Sequence, residues 1–282
     1  TIPAPFPWFG GKKRVADTVW RALGNPDNFV EPFAGSLAVL LARPHAPRTE
    51  TVNDSDGLLI NFWRAVKHDP EAVAAAADWP VSELDLSARH LRLVSRRADL
   101  TERMAADPSH FDVQLAGWWV WGACAWIGSG WCSGEGPWTE QDGLLSKLPH
   151  LGDRGQGINR QIPHLSNRGR GINRQLPHLG NRGRGINRQL PHLGDRGQGI
   201  AEWFGDLSER LRDVRITCGD WARVCEDSVT VRHGETAVFL DPPYFDGAVD
   251  YAEADRGVAV RVREWAQENG GRMRIALCGY DG

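Results

Sequence analysis

Residues 237–244 read AVFLDPPY, and the fold turns on how they are read. Ala237, Val238, Phe239 and Leu240 form an apolar run of strand length, and the residues that follow end it as a short buried strand. Pro242 and Pro243 fix the backbone directly after that strand. The turn leaves the Asp241 carboxylate on one side and the Tyr244 ring on the other. Open α/β sheets bind ligands outside the carboxyl ends of their strands, so Asp241, Pro242, Pro243 and Tyr244 are candidate catalytic residues. An ordinary strand-to-turn junction uses the same residue types, because Asp and Pro are common turn formers.

These four residues suit one kind of chemistry, the methylation of an exocyclic amino group on a flat base. The lone pair of such a nitrogen is delocalised into the ring, which makes it a poor nucleophile. Asp241 and the Pro242 carbonyl can each accept one of its N–H bonds and draw it towards tetrahedral geometry. The lone pair then points at an electrophilic methyl while Tyr244 stacks on the base.

Upstream, residues 5–12 read PFPWFGGK, an irregular loop in which Trp8 offers a flat face and Lys12 a charge. Residues 28–33 (NFVEPF) read as a strand, running through Ala34, Gly35 and Ser36 into a helix at Ala38–Leu41. Strand, glycine turn and helix together bring backbone N–H groups and a helix start to a ligand. Thr51 and Val52 begin a second strand, with Asn53 and Asp54 at its end. Asp54 stands about twenty residues after the turn, where doubly wound folds grip a ribose hydroxyl. It can equally cap the helix that carries Leu58, Leu59, Phe62, Trp63 and Val66. Arg215–Cys218 is a further strand, ending at Gly219, Asp220 and Trp221, an acid and an aromatic able to read an adenine amino group and cover its ring. A helix around 260–267 leads to a fifth strand at 273–278.

Composition bounds the class. The 282 residues are 41% hydrophobic and 24% charged, ordinary for a globular protein with a sizeable core. No apolar run approaches the ~18 residues of a membrane span. Five cysteines without a CxxC argue against a disulfide framework and a zinc ribbon, so a cytoplasmic protein with no metal is expected. Residues 148–199 hold nine Arg and two Asp, a charge of +7 that leaves −10 for the rest of a chain whose net charge is −3. That basic island repeats with a period of 14, beginning LPHLGDRGQGINRQ. It reads either as an adaptable arm contacting phosphates or as a repeat expansion in a tolerant loop. Arg154, Arg168, Arg170, Arg182, Arg184 and Arg196 are its candidate phosphate contacts. Trp118, Trp121, Gly122, Ala125 and Trp126 fall at helical spacing, which predicts a buried helix. The Gly- and Trp-rich residues 128–138 follow, and Trp131 among them is a candidate nucleic-acid contact.

Taken in order, PFPWFGGK, VEPFAGS, Asn53-Asp54, Cys218-Gly219-Asp220-Trp221 and DPPY resemble the Dam-type family of N6-adenine DNA methyltransferases. The resemblance spans nearly the whole chain apart from the repeat. It implies an α/β fold, a Rossmann-like seven-stranded sheet with S-adenosylmethionine at its carboxyl edge. A mostly helical target-recognition segment would be inserted between the second and third strands. The catalytic domain would comprise residues 1–63 and 201–282, and the insertion 64–200. By position, Trp8, Lys12, Glu31, Phe33, Gly35, Asp54, Asp220 and Trp221 would bind cofactor, and residues 241–244 would catalyse. Double-stranded DNA is the implied partner, with the enzyme a monomer or at most a weak dimer, bacterial or phage-encoded. Leu37 stands where the family's turn has a second glycine, and residues 128–138 lack the pattern of GATC readers. The chain ends after the fifth strand, where the family adds a hairpin. N4-cytosine methylation and a catalytically impaired DNA-binding relative are the rival readings.

Overall fold

The computed structural model describes residues 2–8, 12–107, 109–126, 131–132, 138–141, 144–147, 199–243 and 253–279. The chain divides into two compact units: residues 1–4, 8–56 and 210–282, and residues 5–7 and 57–209.

The first unit is built on five parallel strands: β1 (Asn28–Glu31), β2 (Thr49–Asp54), β5 (Arg215–Cys218), β6 (Thr236–Leu240) and β7 (Arg274–Leu277). They lie in the order β5-β2-β1-β6-β7. The chain starts at the centre, works outward through β2 and β5, and returns to lay β6 and β7 on the other side. The order therefore reverses between β1 and β6, and a crevice at that reversal is where doubly wound sheets bind ligands. This is the Rossmann-like arrangement expected of the methyltransferase fold, with five strands among the described residues where the resemblance implied seven.

β1 and β6 are buried along their whole length, so both faces of the sheet are covered. On one face Val30, Val238 and Leu240 pack with Trp221, Val262 and Met273, the last two brought by α8 (Glu253–Asn269) and the turn after it. On the other, Trp20 of α1 (Ala16–Leu23) tilts against Phe29 at 4.8 Å and donates its Nε1–H to the Val39 carbonyl of α2 (Ala38–Leu41) at 2.8 Å. Buried Glu50 is held by two cations, Arg43 at 3.0 Å and Arg210 at 2.7 Å, which answers its desolvation.

Leu37, just before α2, is fully buried and left-handed at φ 55°. The backbone here has the shape that favours glycine, at a cost to other residues of about 1–2 kcal/mol. Full burial of the leucine side chain returns about 1.5–3 kcal/mol, which explains how Leu37 holds a glycine's place.

The second unit contains α3 (Gly57–His68), α4 (Pro70–Ala77), α5 (Glu83–Ala106), α6 (Val113–Ala125), a hairpin of β3 (Trp138–Gln141) and β4 (Leu144–Lys147), and most of α7 (Ile200–Leu211). Asp69, Ser82 and Asp112 cap α4, α5 and α6 by accepting backbone N–H bonds. α6 is buried on nearly every side, as its Trp spacing predicted, although Trp126 lies just beyond it. Phe6, Phe62 and Trp119 interlock, with Phe6 edge-on to the other two at 5.5 and 4.9 Å. Gly117 lets α6 approach α4: an added Cβ would lie 2.8 Å from the Ala76 carbonyl carbon and 2.9 Å from the Ala77 nitrogen. Gly117→Ala is expected to lower stability by about 1–3 kcal/mol despite alanine's better helix propensity, because backbone cannot give way. A thermal melt that rises instead would contradict the close packing.

Candidate active site

Every described cofactor and catalytic residue of the resemblance belongs to the first unit and follows a strand's carboxyl end or lies in the segment at residues 8–14. β1 ends in Glu31, β2 in Asp54 and β5 in Cys218, while Asp241 follows β6 directly. Parallel pairing in register brings all four ends to one edge.

Gly35 lies in the left-handed region at φ 47°, and a Cβ there would come within 2.6 Å of the Trp8 indole nitrogen. Only glycine admits Trp8 so close to the turn. Trp8 itself is 38% exposed. Asp54 joins the glycine turn to the segment after β2: its Oδ2 accepts the Gly35 N–H and its Oδ1 the Asp56 N–H, both at 3.0 Å. Burial pushes its pKa up from 3.8 to about 6, against the lowering effect of the Asp56 and Gly35 N–H groups. Asp54 thus closes the turn that leads from β2 to α3 (Gly57–His68).

Asn53 was quoted in the sequence but not assigned a site role. Its Nδ2 donates to the Pro32 carbonyl at 3.1 Å and the Gly219 carbonyl at 2.9 Å, and its Oδ1 accepts the Thr217 hydroxyl at 2.9 Å. One buried side chain thereby ties the loops after β1, β2 and β5. Its signal in sequence was only a polar residue at the end of an apolar strand. Asn53→Ala would orphan those groups and is expected to cost about 2–4 kcal/mol in a denaturant titration. An unchanged midpoint would remove Asn53 from this role.

At the reversal point, Lys12 Nζ pairs with Asp241 Oδ1 at 2.8 Å. Sequence reading placed these residues in separate motifs and did not pair them. Glu31, 2% exposed, accepts the Leu40 N–H at 3.3 Å. Burial is the main reason its pKa is raised well above the ordinary value, and neighbouring Asp241 and Glu50 add to the rise while the Leu40 N–H and Arg210 oppose it. Arg210 also donates to the Leu40 carbonyl at 3.0 Å, so the residue that contacts Glu31 is gripped from both of its backbone groups.

Asp220 is exposed and caps the short helix at Trp221–Val224 by accepting the Ala222 N–H at 2.9 Å. Trp221 stacks on Phe33 at 6.2 Å, and its buried Nε1 has no hydrogen-bond partner among the described residues. Pro242 is buried and Pro243 exposed, while Tyr244 lies outside the described residues. So do Arg154, Arg168, Arg170, Arg182, Arg184 and Arg196. Trp131 belongs to the second unit. Its ring packs 5.2 Å from Trp126 and 5.4 Å from His90, and its Nε1–H donates to the Trp119 carbonyl at 3.0 Å.

The residues present fit S-adenosylmethionine on two observations: an acid at the end of β2 set against a left-handed glycine turn, and a buried indole N–H that has no partner among the described residues. Among the described residues, no cluster of three or more His, Cys, Asp or Glu could hold a metal, and no helix is long and apolar enough to cross a membrane.

No curated protein matches the chain. Residues 8–87 match the model of the D12 class N6 adenine-specific DNA methyltransferases, a span that takes in Trp8, Lys12, Glu31, the glycine turn and Asp54. Over that span, and with the doubly wound parallel sheet around it, the chain is similar to the D12 class of N6 adenine-specific DNA methyltransferases.

Proposed function

We propose that this protein transfers a methyl group from S-adenosylmethionine to adenine N6 in double-stranded DNA, with the target base flipped from the duplex. The observation that carries this reading is the Lys12–Asp241 pair beside buried Glu31, where the strand order reverses.

Asp54 and the glycine turn would hold the cofactor's ribose end, with Trp8, Glu31, Phe33, Asp220 and Trp221 around it. The chemistry supplied by bound S-adenosylmethionine is an electrophilic sulfonium methyl. Asp241 and the Pro242 carbonyl accept the two N6–H bonds of the base, which sharpens the nitrogen lone pair. Lys12 holds Asp241 in place through Oδ1. A carboxylate has about four acceptor sites on its two oxygens, so one ammonium does not exhaust it. As the N–CH3 bond forms the sulfonium S–CH3 bond breaks and leaves a neutral thioether; the nitrogen then sheds one proton, and Asp241 is the base that would take it. Tyr244 would stack on the flipped base, at an unpairing cost of a few kcal/mol. Residues 64–200 would read and grip the duplex, with the arginines of the repeat on phosphates.

The test is incubation with unmethylated duplex DNA and radiolabelled S-adenosylmethionine, followed by nucleoside analysis. Label in N6-methyladenine is expected. Label in N4-methylcytosine would keep the acceptors and change the base. DNA that is bound but unlabelled would favour an impaired relative.

A further inference from the structure

Arg89 of α5, 8% exposed, is caged by tryptophans. Its guanidinium carbon lies 4.3 Å from the Trp121 ring centroid, 5.2 Å from Trp79 and 5.4 Å from Trp118. All four residues belong to the second unit. Indole faces stabilise a cation through their negative π-clouds, but they offer no oxygen to its in-plane N–H groups. Those groups find no hydrogen bond or ion pair among the described residues, and Nη1 is buried without a partner.

Asp85, one turn before Arg89 on the same helix, accepts the Trp79 indole N–H at 3.0 Å and makes no ion pair with Arg89. Burial lowers the Arg89 pKa, and Asp85 offsets this only in part. A desolvated guanidinium lacking an acceptor is costly and rare, and a missing anion is one physical explanation. The surroundings carry that explanation further. Trp79 is 52% exposed at the rim of the cage, and Arg92, one turn along α5, is exposed too. An aromatic face beside paired cations is the chemistry of a nucleic-acid backbone contact.

We propose that the Trp79–Arg89–Trp118–Trp121 cage is a phosphate-binding site for the DNA backbone, in which a phosphodiester oxygen completes the hydrogen bonding of Arg89. The site rests on the reading above, that residues 64–200 face DNA. It is distinct from the arginine repeat and supplies affinity without sequence readout.

The experiment measures binding of a fluorescently labelled, unmethylated duplex to the full chain over a series of salt concentrations. Arg89→Met, which keeps an apolar chain inside the cage, is expected to weaken binding about tenfold and to reduce the salt slope by about one. A lower melting temperature with unchanged affinity and slope would overturn the site and make Arg89 a clamp between helices. Should Arg89→Met fail to fold, Trp79→Phe decides, because that ring is at the rim. A DNA-induced change in tryptophan emission that is present in the parent and lost in Trp79→Phe supports the site; an identical change in both overturns it. A parent chain that binds no duplex sinks the site together with the DNA-facing reading. A parent that methylates DNA while Arg89→Met keeps its slope sinks the site alone.

Discussion

Asp241→Ala is expected to slow methyl transfer by about a thousandfold, the scale seen when one preorganised hydrogen-bonding group is removed from a reacting centre. Binding of S-adenosylmethionine should change only severalfold, because the glycine turn and Asp54 do not depend on residue 241. The large effect follows from placement. Asp241 follows a fully buried strand at the reversal of strand order, and Lys12 pins it at 2.8 Å. Alanine removes the proposed N6–H acceptor and the proposed destination of the proton at once, and deprives Lys12 of its ion pair. With the neighbouring anion gone, the Glu31 pKa should fall, since Asp241 is one of the charges that raise it. Asp241→Asn keeps an acceptor oxygen but no negative charge, and should fall between alanine and the parent. Single-turnover transfer of labelled methyl, with calorimetric cofactor binding as control, separates the two effects. A rate within tenfold of the parent in Asp241→Ala would end its catalytic assignment.

The second large effect concerns Asp54, and its sign depends on pH. The folded pKa of about 6 exceeds the ordinary 3.8, so the folded state holds this proton more tightly than the unfolded chain does. The stability it contributes is fully present below about 3.8 and is lost as pH rises through about 6. Above that window the largely buried carboxylate is a net cost of up to about 3 kcal/mol, less in so far as its exposed part keeps water. Asp54→Asn should therefore stabilise the cofactor-free protein at pH 8 and flatten stability across pH 4–6, since asparagine's oxygen can still accept a backbone N–H. The same substitution should weaken S-adenosylmethionine binding about a hundredfold, by removing the charge proposed to grip the ribose hydroxyls. In the parent, affinity should decline as pH falls below about 6, and cofactor binding should release a proton. Melting curves and binding isotherms over this range test both halves. Asp54→Asn with reduced stability at pH 8 and unaltered affinity would refute them together.

What could be read from the chain alone was the chemistry that is local in sequence. AVFLDPPY announced a strand and a rigid turn because apolar run and prolines are contiguous, and the glycine turn announced itself through Gly35 and the helix after it. The place of Asp54 at a strand end was legible from Thr51 and Val52 before it, and the buried α6 from the period of its tryptophans. These are short-range regularities, and backbone sterics and periodicity act at short range. The pairing of Lys12 with Asp241 was not legible, because those residues meet only when β6 has been laid beside β1. Nor was the work of Asn53, whose partners come from the ends of two other strands, or the cage around Arg89, whose tryptophans come from one helix and the segment after another. Leu37 read as a departure from a glycine position, and only the packed core shows the burial that offsets its left-handed backbone. Tertiary structure decides such features because a charge, a buried amide or a strained residue is stabilised by whatever long-range packing brings against it, and one strand of sequence does not name its neighbours.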